Sequence, residues 1–321
     1  MIIVDTDPGI DDAMALLYLR ASPKADLHSV SCVFGNADVE TTAKNARHIV
    51  DHFGVGVPVF RGADAPLVRK RFVPELKVHG SDGFGDTGLA KSSRLDAPAI
   101  HAVDHIVETI KQNPGQVTVL ALAPMTNLAA AVQKAPEIAV LTNRIVVMGG
   151  AFGSKGRSGN IRSHAEANVF YDPEAADIVF GANWDVTIVG LDVTSDCILS
   201  SADAEALSVE AGPEGEFLWR ISRGYERIYR EIDGVDGCCI HDVAAAVCVT
   251  HPEYFETVEG PVTVDLREGK LGQTRVVASQ SSRPRQRICR SVDANAVINE
   301  FLQVMRLYGS ASSREYQTTL I

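Results

Sequence analysis

The chain has 321 residues, 45% of them hydrophobic, and a formal net charge of -11. That is enough apolar material for one large core, and the acidic balance argues against non-specific attraction to nucleic acid phosphates, leaving a small molecule as the expected substrate. No apolar stretch approaches the roughly 18 uninterrupted residues of a membrane span, the start MIIVDTDPG has neither a basic leader nor a long apolar run, and the six cysteines lack CxxC spacing. The expectation is a cytoplasmic protein with reduced thiols, its adjacent Cys238 and Cys239 packed as small hydrophobes.

From the N-terminus, short β-rich runs alternate with amphipathic segments of helix length. IIVD (2–5) precedes DDAMALLYLRA (11–21), LHSVSCVFG (27–35) precedes VETTAKNARHIVDHFG (39–54), and VPVFRG (57–62) follows. Residues 80–93, rich in Gly, Asp and Ser, read as a mobile surface loop. The rhythm resumes with a helix over 97–112 before a strand at 117–124, a helix over 125–135 before a strand at 144–150, and a helix over 173–181 before a strand at 185–194. About six strands of this kind predict an α/β fold built on an open, doubly wound, mostly parallel, Rossmann-like sheet. Beyond residue 200 the chain turns helical, at 214–232, 241–250 and 293–309, with a small hairpin at 261–279. Neither a linker nor a repeat sets this part off, so 1–321 reads as a single domain.

The densest chemistry is Asp5-Thr6-Asp7-Pro8-Gly9-Ile10-Asp11-Asp12, four carboxylates in eight residues between a strand and a helix. Crowded carboxylates repel one another unless a hard cation with a taste for oxygen neutralises them. The position fits, because open α/β sheets bind ligands beyond the carboxyl ends of their strands. An acidic first helical turn would by itself account for Asp11 and Asp12 through the helix dipole, but it leaves Asp5 and Asp7 without a role. An EF-hand loop fails at Ile10, where it needs Gly, and at Leu16, where it needs Glu. A haloacid-dehalogenase-type phosphatase also places two Asp two residues apart, but Pro8-Gly9 stands where that pattern continues differently.

The run DxDPGxDD resembles the N-terminal signature of the inosine-uridine nucleoside hydrolase family. The resemblance continues through Gly35-Asn36, His79-Gly80-Ser81-Asp82-Gly83, Ala123-Pro124-Met125-Thr126-Asn127, Val147-Met148-Gly149-Gly150, Ala165-Glu166-Ala167-Asn168, Asp172-Pro173-Glu174-Ala175-Ala176 and His241-Asp242. It implies calcium-dependent hydrolysis of the N-glycosidic bond of ribonucleosides. Ca²⁺ would be held by Asp7, Asp12, the Thr126 carbonyl and Asp242, with water and the ribose hydroxyls completing its shell, and would lower the pKa of that water. Asp7 is expected to serve as general base, through an oxocarbenium-like transition state.

The same resemblance implies ribose contacts from Asp11, Met148, Asn160, Glu166 and Asn168, placement of the water by Asn36, and proton donation to the leaving base by His241. Base recognition is expected from the loop carrying His79 and from Tyr225 and Tyr229, one helical turn apart and able to stack on a base. Relatives of this kind are homodimers or homotetramers, so self-association is expected. The reading from a different class is a calcium-stabilised nucleoside-binding protein without turnover.

Overall fold

The computed structural model describes residues 1–70, 76–90, 99–154, 156–278 and 282–318, and the side chains of 76–77 and 310–318 are not included in that description. Six parallel strands form its centre: Ile2–Thr6 (β1), Leu27–Cys32 (β2), Val59–Arg61 (β3), Thr118–Ala121 (β4), Arg144–Met148 (β5) and Val186–Val189 (β6). Their order, β3-β2-β1-β4-β5-β6, reverses direction between β1 and β4. A doubly wound sheet opens its ligand crevice at such a point.

Strand residues alternate between two buried faces, which is why each run is apolar throughout. Ile3, Val119, Ile145 and Ile188 pack in one core cluster with residues of the helices Ala102–Gln112, Thr126–Lys134 and Pro173–Gly181. Val4, Leu120, Val146 and Val189 face the opposite way, toward Ile10–Ala21, His241–Thr250 and the helix Ala294–Thr318. Ile10–Ala21 and His241–Thr250 are buried along almost their whole length. A helix buried on nearly every side has no solvent face on which to rotate, so side chains at its first turn are held in one direction.

The C-terminal strands correct part of the sequence reading. After a separate two-stranded ribbon, Ile198–Ser200 (β7) with Gly237–Cys239 (β8), the chain forms Phe255–Asp265 (β9), Gln273–Val276 (β10) and Arg285–Val292 (β11). β9 and β10 are the expected hairpin, but β11 pairs antiparallel with β9 and parallel with β6, so all three extend the main sheet to nine strands. β11 reads RQRICRSV, too rich in arginine to stand out as an apolar run. Leu191–Thr194, read as the end of a strand, is a helical turn.

The 80–93 segment is also more ordered than a solvated loop in its described part. Asp82 accepts hydrogen bonds from the backbone N–H groups of Phe84, Asp86 and Gly88 at 2.7–2.8 Å, and Phe84 is fully buried. Residues 91–93 of that loop, 97–98 of the predicted helix and 279 of the predicted hairpin lie outside the described residues. All six cysteines are buried and unpaired by disulfide. Among the described residues no helix is long and apolar enough to cross a membrane.

Candidate active site

β1 ends at Thr6, and the turn Asp7-Pro8-Gly9 leads into the helix that begins at Ile10. Asp12 reaches back across this turn. One of its oxygens accepts from the Thr6 hydroxyl, while the other accepts from the Gly9 N–H at 2.9 Å and from the Asn36 side-chain amide at 3.0 Å. Asp7 Oδ2 accepts from the Asn36 backbone N–H at 2.6 Å, and Asp7 Oδ1 is buried with no hydrogen-bond partner. The approach is close enough to require glycine twice. A Cβ on Gly35 would stand 1.8 Å from Asp7 Oδ2, and one on Gly9 would stand 2.6 Å from both Asn36 Nδ2 and His79 Nδ1. Gly35→Ala is therefore expected to displace Asp7 and lower turnover by about 100-fold or more, as ångström-scale misplacement of reacting groups does. Steady-state kinetics beside a melting curve check this, since loss of the fold would lower both.

The buried first turn of His241–Thr250 brings Asp242 to the same place. Carboxylate oxygens of Asp11, Asp12 and Asp242 lie within 4.8 Å of one another, all three residues buried. Asp7 stands outside that trio, but its charge and theirs act on each other. Burial, then the neighbouring carboxylates, push the proton affinities of Asp7, Asp11 and Asp242 upward. Asp5, on the strand below, is pushed up to about 7 by burial, against a hydrogen bond from Asn127. An all-oxygen cluster that must otherwise hold protons, with a partnerless oxygen on Asp7, fits a hard divalent cation. Thr126 is buried at the start of the helix that follows β4. Its hydroxyl is spent on Asp172 at 2.7 Å, so any ligand role falls to its carbonyl.

Above the carboxylates opens a cavity of about 300 Å³, lined by Asp11, Asn36, His79, Met148, Asn160, Glu166, Asn168, Tyr225, Tyr229, His241 and Asp242 among others. Glu166 caps the short helix Ala167–Tyr171, accepting from the N–H groups of Asn168, Val169 and Gly150 at 2.8–3.1 Å; burial raises its proton affinity. The Asn168 amide nitrogen donates to the Leu122 and Met148 carbonyls, leaving its oxygen as the group for a ligand. Asn160 is the reverse: its oxygen accepts from the Ala167 N–H at 3.0 Å, leaving the NH₂.

His241, beside Asp242 in the same helical turn, lies between the Tyr229 hydroxyl, 2.7 Å from Nε2, and the Thr194 hydroxyl, 2.8 Å from Nδ1. Burial, then the charge of Arg157, pushes its pKa down to about 3. Tyr225 and Tyr229 meet edge to face, with ring centroids 4.9 Å apart. Tyr225 is buried, and both rings line the cavity, so they serve core and pocket at once. His79 Nδ1 accepts from the Ile10 N–H at 3.2 Å, which places its proton on Nε2; burial holds its pKa near 4.

The fold and this arrangement have counterparts. Residues 2–299 match the family model described as inosine-uridine preferring nucleoside hydrolase. The chain belongs to that family. It is 36% identical over 276 residues to uridine nucleosidase 1 of Arabidopsis thaliana, covering 85% of this chain and 80% of that one. It is 33% identical over 280 residues to the inosine-uridine preferring nucleoside hydrolase of Crithidia fasciculata, covering 86% and 87%. The solved purine-preferring ribonucleoside hydrolase of Gardnerella vaginalis superposes with a TM-score of 0.89 at 30% identity, covering 96% and 98%. As a nucleoside hydrolase the chain is an N-glycosidase of ribonucleosides.

This nucleoside hydrolase also lines its cavity with residues the sequence reading passed over. Arg157 carries no motif that singles it out; Thr194, outside the lining but bound to His241, was expected in a strand. Asp233 had a signal. It follows Tyr225 and Tyr229 at the same four-residue spacing, which keeps all three on one face of the helix Gly212–Asp233.

Proposed function

We propose that this chain hydrolyses ribonucleosides with one Ca²⁺ held at the acidic turn by Asp7, Asp12, Asp242 and the Thr126 carbonyl. The observation that carries the reading is the convergence of Asp11, Asp12 and Asp242 at a cavity that the His241–Tyr229 pair also lines. The choice of calcium, and assembly as a homodimer or homotetramer, come from the family resemblance. Calcium bound there supplies positive charge to the carboxylates, coordination for the vicinal ribose hydroxyls and acidity to water.

The chain's own residues do the rest. Asp7 accepts the proton of the attacking water through its partnerless Oδ1. Asn36 holds the other oxygen of Asp7 and, from the cavity wall, helps to place that water. The ribose hydroxyls meet Asp11, the remaining acceptor capacity of Glu166, the Asn168 oxygen and the Asn160 NH₂, with Met148 beneath the ring. The buried carboxylates stabilise the positive charge that the ribosyl group acquires as the base departs. His79, Tyr225 and Tyr229 border the base. Tyr229 and His241 form a hydroxyl–imidazole relay through which a proton reaches it.

The test is ribose release from inosine, guanosine, adenosine, uridine and cytidine. Relatives named for uridine and a structural neighbour named for purines stand at similar identity, so both base classes belong in the panel. Ribose from inosine or uridine is the expected result. Tight nucleoside binding with no ribose from any of the five would replace the hydrolase with a binding protein.

A further inference from the structure

We propose that the Arg157 guanidinium is the fixed positive charge that faces the leaving base and stabilises the negative charge it gains as the glycosidic bond breaks. This rests on the hydrolase reading above. In that reaction the C1′–N bond breaks and its electron pair leaves on the base nitrogen. A water oxygen bonds to C1′, and the water proton ends on the base, so nucleoside and water become ribose and free base.

The cavity is charged along the direction of this separation. Its floor carries Asp11 and Asp242, both buried, and with the proposed Ca²⁺ bound the carboxylates of Asp7, Asp11, Asp12 and Asp242 would outweigh the ion's two charges. Those charges favour a positive ribosyl group and oppose a negative base. Among the described residues that line the cavity, Arg157 is the one permanently cationic side chain. It stands at the mouth, its side chain 45% exposed, 3.9 Å from Asp233, which lies one helical turn beyond Tyr229. That separation is longer than a hydrogen bond, so the carboxylate holds the guanidinium over the opening without occupying its N–H groups in a tight fork. The field of Arg157 reaches inward to His241 and Cys239. A ribose seated on the floor directs its base away from the carboxylates, toward the part of the cavity that Arg157 and Tyr229 line. A cation near the leaving atoms acts on charge that exists only as the bond breaks, so its effect belongs to the rate of cleavage more than to binding.

The experiment measures single-turnover cleavage by wild type, Arg157→Ala and Arg157→Lys on two pairs of similar shape, uridine with 5-fluorouridine and inosine with 2-fluoroinosine. Fluorine makes each base a better anion. Loss of the cation is expected to slow the unfluorinated member of a cleaved pair by about 10-fold, a modest figure because the side chain is partly solvated. The fluorinated member should slow by less, so the ratio within the pair widens several-fold, and lysine should restore most of it. An Arg157→Ala ratio equal to that of wild type overturns the proposal, whatever the absolute rates. Wild type that releases no ribose from any of the four defeats the hydrolase reading itself, and the role of Arg157 with it.

Discussion

Asp7→Asn is expected to reduce ribose release by about 10³-fold or more while leaving nucleoside binding measurable. The substitution preserves shape and an oxygen to accept the Asn36 N–H, but it removes the charge and the basic lone pair at the partnerless oxygen. General-base catalysis contributes about 10²–10⁴, and loss of one anionic neighbour also weakens any cation at the turn. Single-turnover ribose release, measured beside equilibrium binding of the same nucleoside, separates the two effects. Activity within tenfold of wild type would move the base elsewhere, with Asp11 next in place.

Chelation of divalent cations is expected to abolish turnover and to lower the melting temperature, by an amount that grows with pH. Asp7, Asp11 and Asp242 have their proton affinities raised in the fold, by burial first and then by like charge. A carboxyl whose folded pKa is raised binds protons more tightly folded than unfolded. Its contribution to stability is therefore complete below the ordinary value of 3.8 and is lost as pH rises through the raised value, which for Asp5 is about 7. The chelated protein should lose stability from about pH 4 through neutrality, whereas a cation takes the place of those protons and spares the loaded protein this decline. A hundredfold excess over the dissociation constant contributes about 2.7 kcal/mol, or roughly 5 °C in a protein of this size. Melting curves with calcium and with a chelator from pH 5 to pH 8 check it. A gap that is constant or narrows with pH would mean that the acidic cluster does not bind the cation.

Much of this architecture is visible in the letters because parallel strands buried on both faces are apolar throughout and stand out between amphipathic helices. The acidic turn is equally plain, since four carboxylates between Ile2-Ile3-Val4 and Met14-Ala15-Leu16 cannot be read as core. What stays hidden depends on partners remote in sequence. β11 is a strand because β6 and β9 flank it, and its arginines mask that. Arg157 belongs to the site only because its turn folds over Asp233. The resemblance assigns Asp11 to sugar and Asp7 to metal, whereas the geometry groups Asp11 with Asp12 and Asp242. Oxygen-to-oxygen distances among neighbouring acids are a property of the turn's conformation, which residue types alone do not specify.

The acidic turn and the helix His241–Thr250 that completes it lie far apart in the sequence. Synthesis makes Asp7, Asp11 and Asp12 before Asp242, which follows only after the six parallel strands of the sheet have emerged. A nascent chain thus lacks the third carboxylate of the trio until His241–Thr250 is made and packs in the same core as Ile10–Ala21. On the proposed reading, capture of the ion waits for that helix. Chains stopped before that helix keep an open, strongly acidic edge on which proteases and chaperones can act.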